Sequence, residues 1–188
     1  MRFKRGIEAI FEYMLICSIF IGLLLVVSQS LSLSQLTLSE LLLQQNVPLV
    51  VDAIATTIHV CEMYGKCKLT TDVKLGSMYA EPIIIIGSTI ETPRTLIICG
   101  GVVVRGKLII VSGGEKLYCR TIPIGVDINV EEDVQCEEPS TETLSEVLDV
   151  FREYENKYGI SFYKVCRTRG HVVTMLDSLY NEITIKIT

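Results

Sequence analysis

The chain has no tryptophan, two histidines and five prolines among 188 residues, and aromatic side chains make up only 7%. So few histidines leave almost no material for a Cys-His or Ser-His catalytic pair. Gly-x-Ser-x-Gly, Walker A and His-Glu-x-x-His motifs are all missing, so no known catalytic signature is present. Without a Cys-x-x-Cys pair, His59, Cys61 and Cys67 match no zinc template, and neither a metal nor a cofactor is expected. Asn-x-Ser/Thr acceptors are missing too, so N-linked glycosylation is not implied. Charged residues amount to 21%, and 17 cations against 22 acids give a net charge of −5. With an isoelectric point near 5.1, there is no electrostatic footprint for nucleic acid. No period of roughly 20–50 residues recurs, which excludes solenoid architectures. Gly100-Gly101 and Gly113-Gly114 are glycine-rich but read as turns rather than phosphate cradles. An enzyme is not expected.

What the chain does have is aliphatic surface: 49% hydrophobic residues and a mean hydropathy of +0.43. That excess excludes a disordered coil. Much of it lies near the amino terminus. Arg2, Lys4 and Arg5 precede a stretch from Tyr13 to Ser39 with no charged residue, strongest over Met14–Val27. A helix needs about 20 mostly apolar residues to cross the hydrocarbon core, and residues from Ile10 into the low thirties meet that requirement. Cations before the span and acids beyond it (Glu40, Asp52) place the amino terminus in the cytoplasm and the bulk outside. A cleaved secretory signal competes, with Ser28-Gln29-Ser30 at its cut site. A buried core helix is the third reading. Glu8 and Glu12 are unusual in a signal peptide: a carboxylate costs about 2.5–3.5 kcal/mol at a membrane-helix centre. Either both reach back to the head groups, or Glu12 has a cationic partner within an assembly.

Lys4-Arg5-Gly6, followed by Ile-Glu-Ala-Ile-Phe-Glu-Tyr and an uninterrupted apolar run, resembles the start of an archaeal type IV pilin-like protein. The resemblance implies that a prepilin peptidase removes a basic leader ending at Gly6 and leaves Ile7 as the first mature residue. It implies that Glu12, beside Tyr13, helps subunits pack while the apolar helix forms a filament core. Glu12 would be sixth in the mature chain, whereas the family usually has its acid fifth. The motif covers about the first 30 residues.

Beyond the span, leucines recur from Leu31 to Leu43, and Val47, Val50, Val51, Ile54, Ile58 and Cys61 repeat at helical spacing. Gly65 stands where a helix would stop, and Pro48 would kink or divide it. After Gly65 the texture becomes β-branched. Strands are expected at Lys68–Leu75, Pro82–Ile86, Thr95–Cys99, Val102–Val104, Lys107–Val111, Lys116–Ile124 and Val126–Val130. Turns are expected at Gly100-Gly101, Arg105-Gly106 and Ser112-Gly113-Gly114. Ile83–Ile86 and Leu108–Val111 do not alternate polar with apolar, so both runs are expected to be buried on two faces. Glu131-Glu132-Asp133 and Glu137-Glu138 read as an acidic, solvated linker. Ser140 opens an amphipathic helix with Leu144, Val147, Leu148, Phe151, Tyr154 and Tyr158 on one face and Gly159 at its end. Three strands follow, near Ile160–Cys166, His171–Leu176 and Glu182–Ile187; the last alternates cleanly and either pairs within the chain or augments a neighbour's sheet. Arg167 and Arg169 flank a hairpin tip.

Seven cysteines are present. Cys17 lies in the apolar span and reads as a small hydrophobe. Cys61, Cys67, Cys99, Cys119, Cys136 and Cys166 form an even set that an oxidising compartment would join as disulfides. Sequence does not choose among the connectivities, although Cys61 and Cys67 flank the helix stop.

The expected fold is α+β: a long amino-terminal transmembrane and stalk helix, then a β-rich, disulfide-stapled head with one further amphipathic helix. Its organisation is a basic leader (1–6), a membrane or filament-core helix (7–30), a helical stalk (31–64) and an extracellular head (65–188, helix about 140–158). The resemblance implies a structural subunit of a surface filament, with copies of itself or related pilins, the membrane, prepilin peptidase and the assembly machinery as partners. The alternative is a single-pass anchored extracellular binding or accessory protein. A secreted enzyme would need a site that the sequence does not offer.

Overall fold

A computed structural model of the chain describes residues 2–72, 80–90, 94–125, 129–168, 171–177 and 182–187. The fold is α+β and divides into two compact units, Met1–Ser39 and Glu40–Thr188. Helix α1 (Arg2–Tyr64) supplies the first unit and opens the second. Pro48 lies within it: the helix continues through a residue that cannot donate to the carbonyl four positions back. At its end Gly65 takes φ 72° and donates its N–H to the Cys61 carbonyl at 3.1 Å, a left-handed cap suited to glycine.

In the second unit, Leu43, Val47, Val51, Ile54, Ile58 and Cys61 form the buried stripe of α1. Their spacing of three and four residues keeps them on one face. They pack on a five-stranded antiparallel sheet made of β2 (Ala80–Thr89), β3 (Arg94–Val104), β4 (Lys107–Ile109), β5 (Leu117–Ile124) and β7 (Ile160–Arg167). The order is β4-β3-β2-β7, with β5 paired to the front half of β3. Successive strand residues face opposite sides. Accordingly Ile84, Ile86, Leu96, Ile98 and Val102 join the α1 side, whereas Ile83, Ile85, Ile97, Cys99 and Val103 join a second core with Val147 and Phe151 of helix α3 (Thr141–Tyr158). The sheet is thus buried between two helices, as the non-alternating Ile83–Ile86 run leads one to expect.

A second sheet combines β1 (Lys66–Asp72), β8 (His171–Asp177), β9 (Glu182–Ile187) and the two-residue β6 (Val134–Gln135) in the order β1-β8-β9-β6. Ile183, Ile185 and Ile187 of β9 are buried and feed the α1-side core. The clean alternation of β9 is therefore used within the chain, between β8 and β6.

Helix α3 begins and ends where expected. The Ser140 side chain accepts from the Thr143 N–H, and Gly159 closes the last turn. Phe151 and Tyr163 meet edge to face at 5.1 Å.

Several sequence expectations are corrected. Gly100-Gly101 is not a turn: both residues lie inside β3, which runs unbroken through the two segments read as separate strands. A Cβ on Gly100 would fall 2.6 Å from both Val47 Cγ1 and Val51 Cγ2, and one on Gly101 would fall 2.7 Å from Leu117 Cδ2. The glycines are there so that α1 approaches one face and Leu117 the other. Leu108–Val111 is not buried on both faces, because β4 stops at Ile109 and Ile110 is 55% exposed. The first acidic cluster is helical rather than a loop, although Glu131 and Glu132 are exposed as expected. Val130–Asp133 forms a short helix, α2, capped by Asn129, with Val130 and Asp133 buried. Of the strand expected at Val126–Val130, residues 126–128 lie outside the described residues, as do residues 73–75 of Lys68–Leu75 and residue Arg169.

Candidate membrane and assembly surface

Unit by unit, one surface has no use within its own fold. Residues Tyr13–Ser30 of α1 form an 18-residue apolar segment of which none is buried. Tyr13 is 74% exposed and Phe20 66%, and Leu15, Ile19, Leu23 and Leu24 are exposed alike on every side of the helix. At 1.5 Å per residue the segment spans about 27 Å, close to the hydrocarbon thickness of a bilayer. Its polar groups are satisfied locally. The Ser18, Ser28 and Ser30 hydroxyls donate to the carbonyls of Leu15, Leu25 and Val27 at 2.8, 2.9 and 2.9 Å. Those bonds let serines lie in apolar surroundings without an unpaired donor. At Gly22 a built Cβ would meet nothing within 4 Å. Cys17 is a free, exposed cysteine.

A second stretch of α1, Leu41–Tyr64, is also long and apolar enough to cross a membrane, but one third of it is buried within the second unit. It carries Asp52 and Glu62, and both are tied to β5 and the residue after it. Arg120 Nε donates to Asp52 Oδ1 at 2.6 Å, and the Tyr118 hydroxyl donates to the same oxygen at 3.1 Å. The Arg120 guanidinium also lies over the Tyr118 ring, 5.2 Å from its centroid. The hydrogen bond from Arg120 is the main reason that Asp52 titrates below its ordinary value, with burial opposing. Burial, reinforced by Asp52, pushes Tyr118 upward. Glu62 Oε1 accepts from the Gly125 N–H at 2.6 Å. These contacts mark Leu41–Tyr64 as the core helix of the second unit.

The residues named from the leader motif lie on the first turns of α1. Lys4, Arg5, Gly6, Ile7 and Glu12 are helical, while their side chains lie outside the described ones; Tyr13 is exposed. Of the six candidate cysteines, Cys99–Cys119 and Cys136–Cys166 are joined. Cys61 is also disulfide-bonded; its partner, like the side chain of Cys67, lies outside the described side chains. Cys99 and Cys119 sit directly opposite each other on β3 and β5.

The Asp52–Tyr118–Arg120 contact went unread in the sequence. The available clue was that Tyr118 and Arg120, two apart on a strand, share a face. Arg167, which the sequence places beside a hairpin tip, is only 21% exposed and bridges Glu81 at 3.3 Å and Glu137 at 3.0 Å.

A surface groove of about 500 Å³ lies between α3 and the turn before β5, lined by Glu115, Lys116, Glu146, Asp149, Glu153 and Tyr154 among others. Most of its charges have partners. Lys116 pairs with Glu146, Arg152 with Asp149, and the Tyr154 hydroxyl donates to Glu115 Oε2 at 3.1 Å. Burial, helped by Glu115, pushes the Tyr154 phenol up to about 12. Among the described residues, no group of three or more His, Cys, Asp and Glu side chains is arranged to hold a metal ion.

No protein-family model, curated protein or solved structure matches the chain.

Proposed function

We propose that the protein is a non-enzymatic structural subunit of an archaeal type IV pilus-like surface filament. The observation that carries this reading is the Tyr13–Ser30 helix, apolar on all sides and unburied. Such a surface needs lipid or other apolar helices around it. The basic residues Arg2, Lys4 and Arg5 ahead of it favour a cytoplasmic amino terminus, with the second unit outside the cell. Disulfides in that unit suit an oxidising exterior. In this reading prepilin peptidase cuts after Gly6, Glu12 faces the new amino terminus of a neighbouring copy, and the strand-rich unit forms the outer wall.

A second reading is favoured by the length of the apolar segment, which matches one bilayer crossing. The helix would then be only an anchor for an extracellular binding or accessory protein. Mass spectrometry of the assembled filament fraction distinguishes the two. A mature chain beginning at Ile7 in filaments supports the subunit reading. An intact Met1 in assembled protein removes the processing step, and full-length chain confined to membranes as a monomer favours the anchor.

A further inference from the structure

Among the described residues, strand β7 is the last strand of the five-stranded sheet, and its outer edge carries only an isolated bridge between Arg167 and Glu137. An open edge is a template on which another chain can add a strand. In this fold the carboxyl-terminal end of that edge is covered by the segment that follows β6. The Arg167 N–H donates to the Glu137 carbonyl at 2.9 Å, Arg167 Nη2 donates to Glu137 Oε2, and the Cys136 Sγ sits 4.0 Å from the Val165 carbonyl oxygen. The cover is thin. Glu137 and Glu138 are exposed, and β6 holds β9 through only two residue pairs. What fastens it covalently is Cys136–Cys166, a bond from the strap directly into β7.

We propose that Cys136–Cys166 is a thiol-reversible latch that keeps the strap closed over the β7 edge. The two sulfurs differ in access: Cys166 is fully buried and Cys136 only half-buried. A dithiol reductant therefore attacks at Cys136. Its thiolate forms a mixed disulfide with the Cys136 sulfur, and Cys166 leaves as a thiolate that takes up a proton. The second thiol of the reductant then attacks its own sulfur in the mixed disulfide and releases Cys136 as a thiol. Two electrons and two protons pass to the protein, and the reductant becomes a disulfide. Once released, the strap keeps the Arg167 contacts, one from Lys164 Nζ to the Glu131 carbonyl at 3.4 Å, the two β6–β9 pairs and the buried Val130 and Val134, so what loosens is its Glu137 end. The edge then opens through Arg167. In the oxidised chain the latch is shut and the edge is guarded. Cys99–Cys119 has no such role, because β3 and β5 are held together by eight residue pairs with or without it.

Hydrogen exchange on the full chain in detergent micelles, with and without dithiothreitol, tests the latch independently of any filament. Reduction should speed exchange of the Arg167 amide by about tenfold or more, leaving the β2–β3 amides unchanged. The Cys136→Ser/Cys166→Ser variant should reproduce this without reductant, and Cys99→Ser/Cys119→Ser should leave Arg167 slow. Equal exchange at Arg167 in reduced and oxidised wild-type protein overturns the proposal. So does equal acceleration in the Cys99→Ser/Cys119→Ser variant, which would mean general loosening. Should the first variant not fold, reduction of folded wild-type protein still decides the matter.

Discussion

Gly100 lies directly beneath Val51: a Cβ built on the glycine would stand 2.6 Å from the Val51 Cγ2 methyl, with Val47 equally close. Contact at that range is repulsive, and both valines sit in a packed core with little room to yield. Gly100→Ala should therefore destabilise the second unit by about 1–3 kcal/mol. Urea unfolding followed by circular dichroism measures this. Gly22→Ala, which meets nothing within 4 Å, is the matched control and should leave that transition unchanged.

Phe151 is the largest fully buried side chain in the core between α3 and the sheet, and it is 1% exposed. Phe151→Ala removes both its buried area and its contact with Tyr163, at a cost of about 3–5 kcal/mol. Because α3 holds the second face of the sheet, Ile83 and Ile85 should lose protection from hydrogen exchange in the same variant. Unchanged protection there would contradict the two-core description.

Tyr154 gives the fold an alkaline limb. Its folded value of about 12 lies above the ordinary 10.0. The folded state thus holds its proton more tightly than the unfolded chain. The corresponding stability is fully present below pH 10 and is lost as pH rises through about 12. Phenolate absorbance should show Tyr154 titrating late, and Tyr154→Phe should remove that step and flatten part of the stability loss.

Asp52 gives the opposite limb. Its folded value is lowered from 3.8, chiefly by the hydrogen bond from Arg120. The contribution is therefore present above about pH 4 and is lost as pH falls below it. The pair is half exposed, so its effect should be smaller than that of Phe151→Ala. Unfolding midpoints of wild type and Asp52→Asn should converge as pH falls toward 2; a constant gap would place the interaction elsewhere.

Leu23 lies in the middle of the exposed apolar segment. Leu23→Arg puts a charge where insertion costs about 2.5–3.5 kcal/mol. Alkaline extraction of cell membranes should then recover much of the variant in the soluble fraction, with wild type retained in the pellet. Equal retention of both proteins would count against a membrane or apolar-assembly role for this helix.

Local rules were enough for much of this fold. The Ser140 and Gly159 ends of α3, the Gly65 stop of α1 and the alternation in β9 follow from caps and periodicity that involve neighbouring residues only. The apolar Tyr13–Ser30 run is legible for the same reason, since length and composition are local properties. Tertiary structure decided what depends on residues far apart. Gly100-Gly101 looks like a turn until α1 arrives above it, and the acidic run after Asn129 becomes a short helix because Val130 has a core to enter. Asp52 finds Arg120 across 68 positions, and Cys136 finds Cys166 across 30. Sequence alone established most of the helical, extended and greasy segments, because backbone preference and side-chain period are written locally. Only packing decided which of them meet, because close approach depends on the shape of both surfaces at once.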